Sequence, residues 1–252
     1  MKVMSFNVLC YGDAENDIDF RLNKVSTVIG NYKPDTFGLQ EAHITWINHI
    51  CKELPEYDYV GVGREDGKDG GEFSPVFYLR EKFEVIDKGN FWLSETPDKP
   101  GLGWDAKCIR ICSYAVLKDK ESGKIFTHFN THLDHIGPIA QIEGAKMVAE
   151  RGNSYPDYPA FFTGDFNVFP GSEPYNTVIA GGFEDSRKIA KVSDDHYTFH
   201  GFEKKIDDVA YKRIIDYIFV KDCTVNSFKV ITDKVDGRYP SDHFPIIAEI
   251  DF

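Results

Sequence analysis

The sequence is poor in positive charge. Its 252 residues include 29 Lys and Arg against 41 Asp and Glu, which gives a formal net charge of −12 at pH 7. A chain with this balance has no general electrostatic attraction to nucleic acid or to an anionic membrane. We therefore expect no stable binding of duplex DNA by the bare protein, although bound cations would change the sign of the field locally.

Metal-type cysteine spacing and several nucleophile motifs are also missing. The five cysteines are odd in number, and none stands in the CxxC spacing of a zinc site. The spacing of Cys108 and Cys112 fits one face of a strand, but buried free thiols describe the set better. The sequence has neither a GxSxG elbow nor a P-loop, which argues against a serine hydrolase and a nucleotide kinase.

Long apolar runs are absent too, since none approaches the ~20 residues of a membrane-spanning helix. The first strand is predicted to begin at Lys2, which leaves no room for a signal peptide, so we expect a cytoplasmic protein without membrane association. Hydrophobic residues make up 42% of the chain, enough for a sizeable core, and no segment resembles a linker. We expect residues 1–252 to form a single domain and the protein to be a monomer.

Periodicity predicts about ten strands and three or four helices. Helices are predicted at DFRLNKVSTVIGNY, HITWINHICKEL, PIAQIEGAKMVAERGN and SEPYNTVIA. The clearest strands are KVMSFN, TFGLQ, SPVFYLR, FEVIDKGNFWL, RICSYAVLKD, IFTHFNTH, PAFFTGDFN, RIIDYIFV and FPIIAEIDF. Their order is partly βα and partly hairpin-like, which favours two packed sheets flanked by helices over a doubly wound parallel sheet.

Polar residues recur where the predicted strands end. In FFTGDFN, residues 161–167, the aromatic residues of a buried strand lead directly to Asp165 and Asn167. Five other predicted strands have polar residues at or beside one end. These residues are Asn7, then Gln40 and Glu41, then His132 and Asp134, then Asp216, and last Asp242 and His243. A single polar strand end is unremarkable, but six of them indicate that these ends converge on one site.

Such side chains suit metal-assisted hydrolysis of a phosphoester. Carboxylate oxygens are hard ligands, which favours Mg²⁺ or Mn²⁺ over a Cys/His zinc cage. An Asp–His pair can direct an imidazole at the attacking water or at a phosphate oxygen. Arg110 is a candidate for bidentate phosphate binding. A nuclease, a small-molecule phosphatase and a phospholipid phosphodiesterase all remain open.

Six motifs in this order, SFN, QE, NTHLD, GDFN, IDYIFV and SDHFP, resemble the endonuclease/exonuclease/phosphatase superfamily, whose type member is deoxyribonuclease I. The resemblance runs from Asn7 to Phe252. It implies a four-layer α/β/β/α sandwich, with two packed mixed sheets flanked by helices and the active site at one edge of the sheets. GGEFSPVFY and FWLSETPDKPGLGWDAKCIR are similar to a bacterial subgroup related to nocturnin and the carbon-catabolite-repression deadenylases.

The resemblance also implies a role for each residue of the predicted site. Asn7 and Glu41 match metal-binding positions, and Asp242 matches an acid near the metal. Asp165 and Asn167 match the pair that orients the nucleophile and contacts the scissile phosphate. Asp216 and His243 match the family's Asp–His pair. His132 matches a second imidazole that contacts the phosphate, and Glu72 matches the carboxylate that supports it.

We therefore expect a divalent-metal-dependent phosphoester hydrolase that uses in-line attack by an activated water, with Asn167, His132 and Arg110 holding the substrate. The loops near the motifs are acidic or neutral, except for EKKIDDVAYKR at residues 203–213, where lysines alternate with acids. This favours a phosphorylated small molecule or a short nucleic acid as substrate. The alternative is a catalytically inactive phosphate- or nucleotide-binding module on the same fold. Three histidines without a motif are expected on the surface or in loops: His135, His196 and His200.

Overall fold

The computed structural model describes residues 1–203 and 212–252, so most of the EKKIDDVAYKR cluster lies outside the described residues. The strands are β1 (Lys2–Asn7), β2 (Thr36–Gln40), β3 (Tyr57–Val60), β4 (Val76–Leu79), β5 (Phe83–Trp92), β6 (Ile111–Asp119), β7 (Ile125–His132), β8 (Ala160–Asp165), β9 (Glu184–Asp185), β10 (Val192–Ser193), β11 (Asp216–Lys221), β12 (Thr224–Val230) and β13 (Ile246–Asp251). The helices are α1 (Ile18–Tyr32), α2 (Ile44–Glu53), α3 (Pro138–Asn153), α4 (Glu173–Ala180) and α5 (Ser186–Ile189), with a 3-10 turn at Gly201–Glu203. None of the helices in this described part of the chain has the length and apolar character that a membrane span requires.

The strands form two mixed sheets. Sheet I has the order β10-β12-β13-β1-β2-β4-β3, and sheet II has the order β5-β6-β7-β8-β11-β9. β1 runs parallel to β2 in sheet I, and β7 runs parallel to β8 in sheet II. In each of these pairs the carboxyl ends of the two strands therefore lie at the same edge. β5, β6 and β7 form an antiparallel meander, as the hairpin-like middle of the sequence predicts.

Three apolar clusters hold four layers together. Helices α1 and α2 pack on sheet I with Val25 and Ile47. On the opposite side of the molecule, α3 and α4 pack on sheet II with Val148 and Val178. The third cluster lies between the sheets and includes Phe161. The predicted four-layer α/β/β/α sandwich is confirmed.

Side-chain alternation along the strands decides which residues meet between the sheets. Val3 of β1 lies in the inter-sheet cluster, and Asn7 shares its face because side chains two or four residues apart point the same way. On β8, Phe161 lies between the sheets while Phe162 packs toward the helices, so Asp165 also faces inward. Across the two sheets, Asn7 Nδ2 donates to Asp165 Oδ2 at 2.9 Å. The polar strand ends therefore meet at one end of the inter-sheet core.

One expectation about the interior is wrong, and another holds only in part. His200 was expected on the surface or in a loop, but it is 2% exposed, and its ring lies 4.0 Å from that of Phe244 and 4.6 Å from that of Tyr239. Burial lowers the pKa of His200 to about 3, which keeps this imidazole neutral. The five cysteines are free, but only Cys112 is fully buried, and the other four are partly exposed.

Candidate active site

Asn7 joins two carboxylates at the centre of the site. Its Nδ2 donates to Glu41 Oε1 at 3.0 Å and to Asp165 Oδ2 at 2.9 Å. The backbone N–H of Leu9 donates to Asn7 Oδ1 at 3.0 Å, which fixes the amide with its nitrogen toward the carboxylates. In this arrangement Asn7 connects the end of β1 in sheet I to the end of β8 in sheet II.

Glu41 follows β2 directly and has a left-handed backbone, with φ of 58°. Its Oε2 accepts a hydrogen bond of 3.1 Å from the backbone N–H of Cys10. Burial acts to raise the pKa of Glu41, but the hydrogen bonds from Asn7 and Cys10 outweigh it and lower the pKa overall. Glu41 is therefore a fixed anion at neutral pH.

Asp216 and His243 form a buried pair. His243 Nδ1 donates to Asp216 Oδ2 at 2.9 Å, and His243 Nε2 lies 3.7 Å from Asp165 Oδ2. Burial opposes a charge on His243, but the carboxylates of Asp216 and Asp165 raise its pKa well above the usual value. Burial, followed by the charge of Asp216, raises the pKa of Asp165. The site thus places an imidazolium beside a carboxylate that is easily protonated.

A second histidine faces the same centre in the neutral form. Asn167 Nδ2 donates to His132 Nε2 at 2.9 Å and to Leu133 O at 3.1 Å. His132 therefore carries its proton on Nδ1, which lies 3.9 Å from Glu72 Oε2. Burial, followed by the positive charges of arginines in the site, holds the pKa of His132 well below its usual value. Asn167 itself has a left-handed backbone, with φ of 52°.

Arg110 offers free hydrogen-bond donors to the site. It is 5% exposed, and its Nη2 donates to His135 Nδ1 at 3.2 Å. Its Nε lies 3.9 Å from Asp134 Oδ2, and neither Nε nor Nη1 has a hydrogen-bond partner among the described residues. Buried donors are rarely left unpaired in folded proteins. A guanidinium with two open donors suits a phosphate oxygen.

Most of the predicted site residues line one cavity of about 310 Å³. Eight of the ten contribute to its wall: Glu41, Glu72, Arg110, His132, Asp165, Asn167, Asp242 and His243. The other two stand behind the wall, where Asn7 holds the carboxylates and Asp216 holds His243. The structure thus brings the whole predicted set together.

Sequence reasoning missed several residues of the wall. Arg64 Nη1 bonds Glu72 Oε2 at 2.6 Å, and burial raises the pKa of Glu72 despite this contact. Arg213 and His135 line the cavity as well. Arg64 comes from the glycine-rich loop GREDGKDGG, where no motif marks it. The signal for Arg213 and His135 was their position, because each stands within three residues of a motif residue.

A fully buried arginine supports the site from outside the cavity. Arg21 on α1 is 0% exposed and lies over the ring of Trp46, 5.2 Å from the ring centroid. Its guanidinium donates to the carbonyls of Val8 and Leu9 after β1, and to that of Pro240 at 3.4 Å. It thereby ties the loop after β1 to the loop that precedes β13. No sequence pattern distinguishes this arginine from an ordinary surface residue of a helix.

The donors at the centre fit a hard divalent cation. Glu41, His132 and Asp165 each place a ligand atom within 4.8 Å of the others. Asp242 lines the same cavity as these carboxylates. Burial, and then the charge of Glu41, raise its pKa. Carboxylates that face one another in a buried site repel, and a cation relieves that repulsion. In the tautomer fixed by Asn167, His132 has no free lone pair for a metal, because Nε2 accepts a hydrogen bond and Nδ1 carries the proton. The carboxylate oxygens suit Mg²⁺ or Mn²⁺.

Comparison with known proteins agrees with this geometry. A mannosyl-6-phosphatase of Bacteroides thetaiotaomicron is 37% identical, with all of both chains covered and a TM-score of 0.92. The CCR4-Not complex 3'-5'-exoribonuclease subunit Ccr4 of Emericella nidulans is 23% identical over 99% of this chain, which spans about half (51%) of that protein. The human nocturnin catalytic domain, at 19% identity and a TM-score of 0.77 over 100% of this chain and 93% of that one, shares the fold. Residues 4–243 match the endonuclease/exonuclease/phosphatase family. With six motifs in order and their side chains gathered in one cavity, the chain belongs to the endonuclease/exonuclease/phosphatase family, whose fold is that of deoxyribonuclease I.

Proposed function

We propose that the protein is a Mg²⁺- or Mn²⁺-dependent phosphoester hydrolase that prefers a small substrate, and that a sugar phosphate monoester suits it best. The observation that carries the proposal is Arg110, a buried cation that lines the same cavity as the carboxylates and imidazoles and whose Nε and Nη1 have no hydrogen-bond partner among the described residues. The cavity of about 310 Å³ is at the lower end of the range for small-molecule sites. The similarity to a mannosyl-6-phosphatase supports a sugar phosphate.

Glu41 would hold the metal directly, with Asp242 and Asp165 beside it. When bound, the ion neutralises charge on the phosphate and stabilises the leaving oxygen. Asn7 orients Glu41 in this arrangement through its Nδ2, so that removal of Asn7 would disturb the ligand rather than the charge. This assignment agrees with the lowered pKa of Glu41, because a ligand must be ionised to bind a cation.

Asp165 and His243 have different roles in the reaction. The carboxylate of Asp165 accepts a proton from the attacking water, since its raised pKa places it near the operating range of a general base. His243, protonated and held by Asp216, keeps its proton and donates a hydrogen bond from Nε2 to a non-bridging oxygen of the phosphate. As the water oxygen bonds to phosphorus, the bond from phosphorus to the leaving oxygen breaks, and the leaving alkoxide takes up a proton from solvent. The imidazolium and Arg110 still balance the charge of the product phosphate.

Donors around the cavity stabilise the charge that develops on the phosphate. Arg110 supplies Nε and Nη1, and His132 supplies Nδ1–H, which has no hydrogen-bond partner among the described residues. Asn167 keeps His132 in this tautomer through the bond to Nε2. Donors fixed in a site that excludes water stabilise the charge of a transition state more than water molecules do, because they need not reorient during the reaction.

A substrate panel tests the proposal. Initial rates would be measured on mannose 6-phosphate, p-nitrophenyl phosphate and bis-p-nitrophenyl phosphate, each with Mg²⁺, with Mn²⁺ and with EDTA. We expect hydrolysis of both monoesters to exceed that of the diester and to vanish in EDTA. Asp165→Asn, purified in parallel, controls for contaminating phosphatases and should be inactive.

Each other outcome has a defined meaning. No hydrolysis of any ester with either metal, together with retained binding of inorganic phosphate, would support the inactive binding module instead. Faster hydrolysis of the diester would point to a phosphodiesterase or nuclease. Full activity in EDTA would refute the metal-dependent mechanism.

A further inference from the structure

An exposed aromatic residue follows the cavity-lining Asn167 closely in the chain. Phe169 is 55% exposed, although it follows Asn167 by only two residues. Its backbone is held on both sides: Tyr217 Oη donates to Val168 O at 2.8 Å, and Ser172 N donates to Phe169 O at 3.1 Å. The side chain of Phe169 is therefore exposed to solvent while its backbone is held in position.

Arg213 lies over this ring. Its guanidinium carbon is 6.0 Å from the centroid of Phe169, within the range of a cation–π contact, and Arg213 also lines the cavity. The backbone of Arg213 pairs with Phe199, whose N–H donates to Arg213 O at 2.9 Å. Phe199 in turn forms a β-bridge to His243, and their rings lie 4.9 Å apart. Arg213 is thus fixed relative to the catalytic imidazole.

The ring and the guanidinium are within reach of a group attached to the phosphate. Two residues of chain span at most about 7 Å, which limits the distance between the Cα atoms of Asn167 and Phe169. The lining of the cavity includes Phe199 and Ile215 as well as Arg213, so it offers apolar surface and a cation besides the phosphate-binding groups. Arg110 and Arg64 in the same lining have guanidinium groups that suit the phosphate itself.

We propose that Phe169 and Arg213 are specificity-determining residues that hold the hexose ring of a sugar 6-phosphate. The C–H face of a pyranose packs on an aromatic ring, and its hydroxyl oxygens accept hydrogen bonds from a guanidinium, which has donors and no acceptor. The inference rests on the proposed function, since it needs a phosphate monoester in the cavity. It assigns recognition of the leaving group to Phe169 and Arg213.

Two alkyl phosphate monoesters that differ only in the ring test this inference. Steady-state kinetics would compare a hexose 6-phosphate with ethyl phosphate for the wild type, Phe169→Ala and Arg213→Gln. We expect the ratio of kcat/KM for the hexose to that for ethyl phosphate to fall about tenfold in each variant, the usual scale for one pocket contact. The loss should lie mainly in KM, because contacts remote from the reacting phosphate are made equally in ground and transition states.

The chain offers a matched control pair. Phe20 is 44% exposed with the guanidinium of Arg238 over its ring at 4.6 Å, and neither residue lines the catalytic cavity. Phe20→Ala and Arg238→Gln should keep the wild-type ratio. An unchanged ratio in the Phe169 and Arg213 variants, or equal losses on both esters, would overturn the proposal.

Three outcomes separate this inference from the proposed function. If the wild type hydrolyses ethyl phosphate and the hexose phosphate equally well, the phosphatase proposal stands and the specificity proposal fails. If Phe169→Ala instead lowers activity on a nucleoside 5'-monophosphate while sparing the hexose, the ring stacks on a base and the sugar assignment is wrong. A wild type that hydrolyses neither monoester contradicts the proposed function itself.

Discussion

Glu41 and Asn167 both face the cavity with left-handed backbones, at φ of 58° and 52°. Asparagine tolerates this region because its short amide bonds locally, whereas glutamate rarely adopts it. Such strain persists only where the surroundings fix it, and at Glu41 the bonds from Asn7 and from the Cys10 backbone do so. The strained backbone turns the carboxylate at the end of β2 toward the site.

Replacement of Glu41 by Gln tests its role as the metal ligand. The amide keeps the shape but loses the charge, so we expect weaker Mg²⁺ affinity and a turnover lower by about a hundredfold or more. Calorimetric titration with Mg²⁺ and kcat at saturating metal would measure the two effects. Glu53→Gln, at an exposed position at the end of α2, is the matched control and should change neither. Wild-type affinity and turnover in Glu41→Gln would contradict direct ligation.

The Asp216–His243 pair should behave as one unit. His243→Ala should lower kcat by roughly 10²- to 10⁴-fold, as expected for a positioned acid–base group. Asp216→Asn should lose part of the same effect, because the 2.9 Å bond to Nδ1 no longer holds a charged ring. The double variant should lose far less than the product of the two single losses. Independent, multiplicative losses in kcat would show that the residues act separately.

Between the sheets, the strands behind the site share a buried polar network. His128 on β7 bonds Thr36 Oγ1 of β2 at 2.7 Å and Thr163 Oγ1 of β8 at 2.9 Å. Asn130 Oδ1 accepts from Gln40 Nε2 at 2.7 Å and from Thr163 Oγ1 at 2.9 Å. Because every bond fixes one strand relative to another, the network sets the register in which the strand ends meet. We infer that it positions the site as well as stabilising the fold.

His128 predicts a pH dependence of stability. Burial lowers its pKa to about 3, whereas an unfolded histidine titrates near about 6.5. As the pH falls below about 6.5, the unfolded chain binds a proton at this histidine, whereas the folded protein does not. The free energy of unfolding therefore decreases from there down to about pH 3. The contribution approaches about 1.4 kcal/mol per pH unit within this window.

Urea unfolding between pH 7 and pH 4 measures this effect. His128→Gln should be less stable at pH 7, yet its stability should fall less steeply with pH, by about one proton. Thr36→Val is the matched control, since it breaks a bond to His128 but leaves the imidazole in place and should keep the wild-type slope. An identical slope in His128→Gln and the wild type would show that His128 is not the group that titrates.

The elements that the sequence predicted are those with regular periodicity. The strands that carry site residues were found because apolar runs end abruptly in polar residues, as at Asp165. β12 was missed because its bulge between Val225 and Ser227 puts the buried Val225 and Phe228 three residues apart, which breaks the two-residue alternation of a strand. Arg64 and Arg21 were missed because their roles depend on tertiary contacts. Residue type alone does not distinguish such arginines from exposed ones.

At the scale of the whole molecule, the charge is uneven. Acids outnumber bases by twelve, yet three arginines line the one cavity that holds the catalytic carboxylates, namely Arg64, Arg110 and Arg213. A local cationic wall in an acidic protein attracts a compact anion once it is close, but the surrounding field repels an extended polyanion. We therefore propose that this charge distribution favours a compact phosphorylated substrate over an extended polyanion.

This charge distribution predicts how kcat/KM depends on salt concentration. A protein that neutralises six or more phosphates of a duplex loses about 10³-fold or more in affinity between about 50 and 200 mM salt, since each contact releases counterions. Here kcat/KM for a hexose phosphate should change only a few-fold over that range, because one phosphate meets a few buried donors that salt screens weakly. A duplex of about 20 base pairs should be a poor substrate throughout. The measurement is kcat/KM for both substrates against NaCl at fixed Mg²⁺. Efficient duplex cleavage that collapses steeply as salt rises, with the hexose phosphate barely turned over, would show that the protein tracks a polyanion.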